Sequence, residues 1–183
     1  MSPNRAVSAV VIVALLSLAS ASSAPAADEE GAVISVAEGN ITMRAPAGWS
    51  KEEPRVRIIE AEMTIPAAKG DKEAGRCTVM GAGGSIQANI DRWIGQFTKT
   101  TQNKTEKKEI AGQEVHLVQL AGTYNDQRGP FAPAVLRDDY RMLGAIIVTA
   151  KRGNYFVKFY GPAATVSANE KAFLTMLDTL KVK

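Results

Sequence analysis

The chain has 183 residues, with 22 basic and 19 acidic side chains, 45% hydrophobic residues, 15 Gly, 8 Pro, one Cys and one His. This length and composition indicate one globular domain, and they exclude a disordered chain, a collagen-like repeat and a small disulfide-stapled protein. One Cys and one His cannot supply four ligands to a structural zinc ion. A formal net charge of +3 is too small to indicate nucleic-acid binding.

The N-terminal residues 1–26 have the pattern of a secretory signal peptide. Arg5 and the amino terminus supply positive charge, an uncharged apolar run follows, and small residues come next. The small-x-small rule predicts cleavage after Ala26, with Ala21 as the alternative. The apolar run is shorter than the roughly 20 residues of a membrane span. We therefore predict that residues 27–183 are exported as one periplasmic or secreted domain, with no stable membrane span after cleavage.

The predicted domain begins with a β-hairpin. Short apolar runs at 32–36 and 41–45 flank Glu38-Gly39-Asn40, which is a hairpin signal. Residues 46–54 contain Pro and Gly and are interpreted as a connection.

An alternating strand is predicted over residues 57–65, followed by a turn and a strand over 76–80. Glu60 and Glu62 fall on the same side of the first strand. Two carboxylates at this separation are compatible with glycoside hydrolysis. We interpret them instead as the solvent side of a half-buried strand.

A helix is predicted to begin after Ser85, which is a suitable N-cap, and to continue to about Thr98. Its apolar residues recur at helical spacing and form one face: Ile86, Ile90, Trp93, Ile94 and Phe97. The polar, lysine-rich segment 99–108 is interpreted as a solvated loop.

Two further hairpins are predicted in the second half of the chain. One joins residues 107–110 to 115–123, and the other joins 141–150 to 155–160. The last of these strands carries apolar residues on both faces, which indicates a central strand covered on both sides. Ser167 to Glu170 fits a capping box that opens a final helix.

This order of elements predicts an α+β fold, an antiparallel sheet with helices packed on it. Three short motifs also resemble the PsbP-like superfamily: Pro46-Ala47-Gly48-Trp49, the helix segment 89–97, and the strand 155–162 followed by a helix ending in Leu177-Asp178-Thr179-Leu180. The chain is similar to small exported bacterial members of uncertain role. The resemblance implies an α/β/α sandwich over roughly residues 32–183. It implies no catalysis, since the photosynthetic members are extrinsic accessory proteins, and no functional residue is carried over.

Residues able to support chemistry are few. His116 is the sole histidine and lies in a predicted central strand, where it is interpreted as a packed side chain. No G-x-S-x-G pattern accompanies it. The alternative is a small cell-envelope hydrolase that uses His116 or acidic loop residues. Cys77 is interpreted as a buried small hydrophobic residue.

The segment Gly122 to Tyr140 is the predicted recognition surface. It is a long connection between strong strands, whereas most connections have about 4–6 residues. Its aromatic and charged residues are suited to binding an unknown protein, peptide or glycan of the cell envelope. Asp126, Asp138 and Asp139 lack the spacing of a calcium loop, so we predict neither a metal nor a cofactor. The candidate binding residues are Tyr124, Asp126, Arg128, Phe131, Arg137, Asp138 and Asp139.

The function predicted from the sequence is therefore an exported, non-catalytic binding or accessory domain. A third hypothesis is a carrier of an apolar ligand bound between the sheet and a helix, which requires an empty apolar pocket of about 300 Å³ or more.

Overall fold

The structure, a computed structural model, describes residues 31–127 and 132–183. In the first half of the chain the elements are β1 Val33–Val36, β2 Ile41–Arg44, β3 Ser50–Glu52, β4 Ala61–Ile65, β5 Gly75–Ala82 and α1 Ile86–Ile94. In the second half they are β6 Phe97–Ile110, β7 Gln113–Asn125, β8 Leu136–Thr149, β9 Gly153–Pro162, α2 Ala163–Ala168, α3 Glu170–Asp178 and β10 Lys181–Val182. The predicted signal peptide lies outside the described residues.

The strands form two antiparallel sheets. The main sheet has the order β3-β4-β5-β9-β8-β7-β6, and the small sheet has the order β1-β2-β10. The three predicted hairpins are confirmed as β1–β2, β6–β7 and β8–β9. The β6–β7 turn places Ala111 at φ 52° and Gly112 at φ 72°, which is the backbone twist that a tight two-residue hairpin requires.

The main sheet has a hydrophobic core on each face, because side chains alternate along every strand. On face 1, the side chains of β4, β5, β8 and β9 pack against α2, α3 and the small sheet. On face 2, Phe156, Ile146 and Val118 pack against Ile90 and Trp93 of α1. Cys77 is fully buried on face 1. Sheet and helices thus form the predicted α+β fold with helices on both sides.

One prediction was wrong in the middle of the chain. The segment predicted as a solvated loop forms most of β6, an edge strand that pairs with β7. Its side chains are largely exposed on both faces, so the segment has no apolar alternation to mark it as a strand. Charged side chains, especially lysine, are common on edge strands because they discourage pairing with other chains. Helix α1 correspondingly ends at Ile94, and Phe97 belongs to β6.

The predicted capping box was also wrong. Ser167 lies inside α2, and Asn169, between α2 and α3, makes no side-chain cap to α3. The Asn169 side chain instead accepts a hydrogen bond from Trp49 Nε1 at 3.1 Å. Tertiary contact with the N-terminal part of the chain has therefore replaced the local cap.

The first half of the domain departs from prediction at β3 and β4. The segment 46–54, interpreted as a connection, contains the short edge strand β3. Strand β4 begins at Ala61 rather than at residue 57. Glu62 was predicted to face solvent, but it is only 1% exposed, because it forms an ion pair with Arg76 on the neighbouring strand.

Gly144 in β8 marks the contact between α1 and the main sheet, and Gly144→Ala is expected to destabilise the fold. A Cβ atom at this position would lie 2.4 Å from Cζ3 of Trp93. Overpacking of this kind costs about 1–3 kcal/mol, which urea unfolding would measure. Gly83→Ala is the matched control, because nothing lies within 4 Å of a Cβ there. Equal stabilities of the two variants would contradict the packing of Trp93 on Gly144.

Candidate functional site

The part of face 2 beyond α1 carries polar and aromatic side chains. Trp93 of α1 packs edge-on against Phe156, with ring centroids 5.9 Å apart. Lys158 and Tyr160 follow Phe156 on the same face of β9, two and four residues further along the strand. We call the group formed by Lys158, Tyr160, Tyr124, Tyr140 and Gln96 the tyrosine–lysine cluster.

Lys158 is the centre of this cluster. Its Nζ donates to Gln96 Oε1 at 2.5 Å and to Tyr124 Oη at 3.3 Å. The same nitrogen lies 4.5 Å from the ring centroid of Tyr160 and 5.2 Å from that of Tyr124. These distances are within the range of cation–π attraction. The hydrogen-bond partners of Lys158 are thus neutral side chains.

The charge of Lys158 is poorly compensated. Desolvation by burial lowers its pKa to about 7, the positive charge of Arg76 adds to this decrease, and Asp126 opposes it. Among the described residues, no carboxylate lies within 4.0 Å of Lys158 Nζ. A buried cation without a paired anion costs stability.

Three tyrosine rings form the walls of the cluster. Tyr124 stacks on Tyr140 with ring centroids 5.8 Å apart and planes 6° apart, and it lies 5.2 Å from Tyr160. The Tyr140 hydroxyl donates to Glu73 Oε2 at 2.6 Å. Burial raises the pKa of both Tyr124 and Tyr140, so both keep their protons at neutral pH.

A buried ion pair supports Tyr160 from β4 and β5. Arg76 donates to Glu62 through Nε at 2.7 Å and through Nη2 at 2.9 Å. Its Nη1 donates to Tyr160 Oη at 2.8 Å. The hydrogen bond from Arg76 lowers the pKa of Glu62, although burial alone would raise it. Because Tyr160 accepts from Arg76, its own hydroxyl proton is left to donate.

The predicted recognition segment borders this cluster, but its connection is shorter than predicted. Strand β7 extends to Asn125 and β8 begins at Leu136, so the connection comprises residues 126–135. Tyr124 is therefore a strand residue, and it is buried rather than exposed. Arg128 and Phe131 lie outside the described residues.

A β-bulge shapes the strand ends beside the connection. Gly122 pairs with Tyr140 and Tyr124 pairs with Arg137, so Asp138 and Asp139 both lie opposite Thr123. Asp139 has φ 54°, and Asp138 Oδ1 accepts from Thr123 Oγ1 at 2.7 Å. Bulges redirect side chains and are frequent beside functional sites.

Arg137 links the connection to the loop before β5. It forms an ion pair with Glu73, and its Nη2 lies 3.5 Å from Asp126 Oδ2. The structure thus brings Tyr124, Asp126 and Arg137 to the tyrosine–lysine cluster. Asp138 and Asp139 lie at the bulge beside it and are exposed.

Sequence reasoning missed Lys158, Tyr160 and Arg76 as site residues. One signal was present: Lys158 lies between aromatic residues on a face of β9 that the pattern predicted to be covered. A lysine at such a position is unusual, since lysine is almost never fully buried unless it is paired.

His116 does not lie in this cluster. It is a partly buried residue of β7, and its Nε2 lies 2.7 Å from Glu114 Oε1. Glu114 also accepts from Lys107 at 2.9 Å. No Ser, Cys or Asp side chain hydrogen-bonds to His116 among the described residues. The geometry around His116 therefore does not favour the hydrolase hypothesis, which stays a prediction.

The part of the chain that the structure describes contains no group of three or more His, Cys, Asp or Glu side chains that could hold a metal ion. None of its helices has the length and apolar composition that crossing a membrane requires. An apolar cavity between β1 and β4 has a volume of about 10 Å³. Two open grooves beside α3 are larger, at about 470 and 430 Å³, but charged side chains such as Arg44 line them together with apolar ones. The carrier hypothesis therefore stays a prediction.

The fold has known counterparts among solved structures. The solution structure of the cyanobacterial PsbP protein, CyanoP, from Synechocystis superposes with a TM-score of 0.52 and 10% sequence identity, covering 84% of this chain and 93% of that chain. This similarity confirms the predicted PsbP-like resemblance at the level of the fold. Neither protein-family models nor curated protein sequences give a match to this chain.

Two further structures are similar over most of their length. One is a protein of unknown function from Pseudomonas aeruginosa, with TM-score 0.49 and 14% identity over 84% of this chain and 98% of that chain. The other is the Ran-binding protein Mog1p of Saccharomyces cerevisiae, with TM-score 0.49 and 12% identity over 83% of this chain and 95% of that chain.

Proposed function

We propose that this protein is an exported, non-catalytic binding or accessory domain of the cell envelope. Its recognition surface consists of the 126–135 connection, the adjoining bulge and the tyrosine–lysine cluster. The ligand is a protein, peptide or glycan of the envelope. Export is supported by the signal-peptide pattern of residues 1–26.

The observation that carries this proposal is the patch of aromatic and charged side chains on face 2, beyond the end of α1. Arg76, Lys158, Tyr140 and Tyr160 are all partly exposed there. Tyrosine and arginine are the residue types that dominate binding energy at protein interfaces. The fold itself does not indicate a ligand, because one fold supports many functions.

Exposed apolar residues beside this patch support the same conclusion. Leu136, at the end of the connection, is 57% exposed, and its neighbour Val135 is exposed as well. Apolar side chains flanked by charged ones are typical of surfaces that bind a partner. Leu136 therefore provides a point at which to test the surface without disturbing the core.

Leu136→Ser is expected to reduce partner binding about tenfold, because it removes an apolar contact from the proposed surface. The protein lacking residues 1–26 would be immobilised and incubated with its native envelope fraction, and the captured components would be quantified. Phe131→Ser is a second test variant within the connection. Val33→Ser is the matched control, since Val33 is 51% exposed but lies on the small sheet.

Selective loss of a component by Leu136→Ser and Phe131→Ser, but not by Val33→Ser, would support the proposed surface. Equal recovery by all three variants would remove the connection from that surface. Turnover of a substrate by the purified domain would contradict the non-catalytic part of the proposal.

A further inference from the structure

The tyrosine–lysine cluster contains two hydrogen-bond donors that have no acceptor among the residues that the structure describes. Lys158 has three N–H groups and uses two of them, for Gln96 and Tyr124. Tyr160 accepts from Arg76, and among the described residues nothing accepts its own proton. Lys158 and Tyr160 are both partly exposed residues, although the ammonium group of Lys158 is desolvated, so the cluster lies close to the surface of face 2.

The acidic groups near these donors are already engaged. Glu62 is held by Arg76 and Arg55, and Glu73 is held by Arg137 and Tyr140. The centre of the cluster therefore combines a cation, a free hydroxyl proton and aromatic walls, without a carboxylate in contact with the cation.

From this geometry we infer that the cluster binds a carboxylate group, with one oxygen accepting from Lys158 Nζ and the other accepting from Tyr160 Oη. The inference rests on the proposed binding function and specifies its ligand as an acidic one. Two donors match the two oxygens of a carboxylate, and charge-assisted hydrogen bonds are the stronger ones. The carboxylate is an acidic side chain of a protein or peptide partner; a free organic acid, which is not among the ligands proposed above, is the other source of the same chemistry.

Binding is expected to depend on pH through Lys158. The charged and titratable groups around Lys158 come from several elements: Arg76 from β5, Tyr124 from β7, Asp126 from the connection and Tyr160 from β9. Gln96, from the segment after α1, is a neutral neighbour. Tyr140 stacks on Tyr124 and donates to Glu73. Burial and Arg76 bring the pKa of Lys158 to about 7. Affinity should therefore be about tenfold weaker at pH 8 than at pH 6, because the cation is lost over this range.

The experiment is a titration followed by NMR at the Lys158 side chain at pH 6. The probes are acetate, a blocked Ala-Glu-Ala peptide and the corresponding Ala-Gln-Ala peptide. We expect saturable shifts with acetate and with the Glu peptide, and none with the Gln peptide. Tighter binding of the Glu peptide than of acetate indicates a protein source of the carboxylate, and equal binding indicates a free organic acid.

Variants separate the two donors. Tyr160→Phe removes only the hydroxyl and should weaken acetate binding about tenfold, while Lys158→Met should abolish it. Lys104→Met, on the exposed edge strand β6, is the control and should bind as the unaltered protein does.

Absence of saturable shifts with both acidic probes, or equal shifts with the Gln peptide, would overturn the inference. In that case partner capture that depends on Leu136 would still support the proposed function, so the two failures can be distinguished.

Discussion

Glu62→Gln is expected to lower the free energy of unfolding by about 1–3 kcal/mol, because it replaces two charge-assisted hydrogen bonds and leaves the partly buried Arg76 guanidinium beside a neutral partner. The carboxylate that it removes is 1% exposed and accepts two hydrogen bonds from Arg76. Urea unfolding at pH 7 would measure the loss. The control is Glu106→Gln, which breaks an exposed pair with Lys104 and should leave the free energy of unfolding nearly unchanged, because solvent screens such pairs.

The pH dependence of the free energy of unfolding is a second test of the Glu62–Arg76 ion pair. The folded protein lowers the pKa of Glu62, mainly through the hydrogen bond from Arg76. The ion pair therefore stabilises the fold above the unfolded pKa of about 4.3, and this contribution disappears as pH falls through the lower folded value. The difference between the unaltered protein and Glu62→Gln should narrow in acid. A difference that stays constant with pH would contradict an ionised Glu62.

Lys158→Met is expected to have the opposite effect and to stabilise the fold at pH 6 by about 1–4 kcal/mol. Methionine has a similar length, packs against the tyrosine rings and removes a desolvated charge that no carboxylate of residues 31–127 or 132–183 pairs with. Thermal and urea unfolding at pH 6 would measure the gain. Lys104→Met, at an exposed position, should change the stability by less than about 0.5 kcal/mol.

The gain should shrink as pH rises above 7. The pKa of Lys158 is about 7 in the folded protein, below its ordinary value of 10.5. Between these two values the unfolded chain binds more protons than the folded protein, so the unaltered protein becomes more stable with increasing pH. The methionine variant lacks this contribution. A gain that is independent of pH would show that Lys158 is not desolvated in the fold.

A side chain that lowers the stability of the fold indicates a position with a functional role. Natural sequences retain destabilising groups where activity or binding needs them. If the Lys158→Met variant is more stable than the unaltered protein and does not bind acetate, then the same ammonium group both destabilises the fold and binds the ligand.

Much of the fold could be predicted from local pattern. The hairpins, the N-cap at Ser85 and the two-sided strand β9 follow from turn chemistry and side-chain periodicity, which act over a few residues. Ser85 accepts from the backbone of Ala88 as predicted. The two-sided pattern of β9 correctly implied that both faces of the main sheet carry cores.

Strand β6 and the Glu62–Arg76 pair could not be predicted in this way. The strand conformation of β6 comes from backbone pairing with β7. Because its side chains stay in solvent, they show no apolar alternation that would indicate a strand. Glu62 alternates like a solvent-facing residue, but its partner is fourteen positions away in sequence. Neither feature is encoded within a short window of residues.

The candidate site was likewise predictable from the sequence only in part. Composition and length were enough to draw attention to residues 122–140, because long connections with aromatic and charged residues are uncommon. Only the folded sheet brings Lys158 of β9 to Tyr124 of β7 and to Gln96 after α1, because register between strands decides which distant side chains share a face. Local periodicity determines what each strand presents, whereas pairing across the sheet determines what those side chains meet.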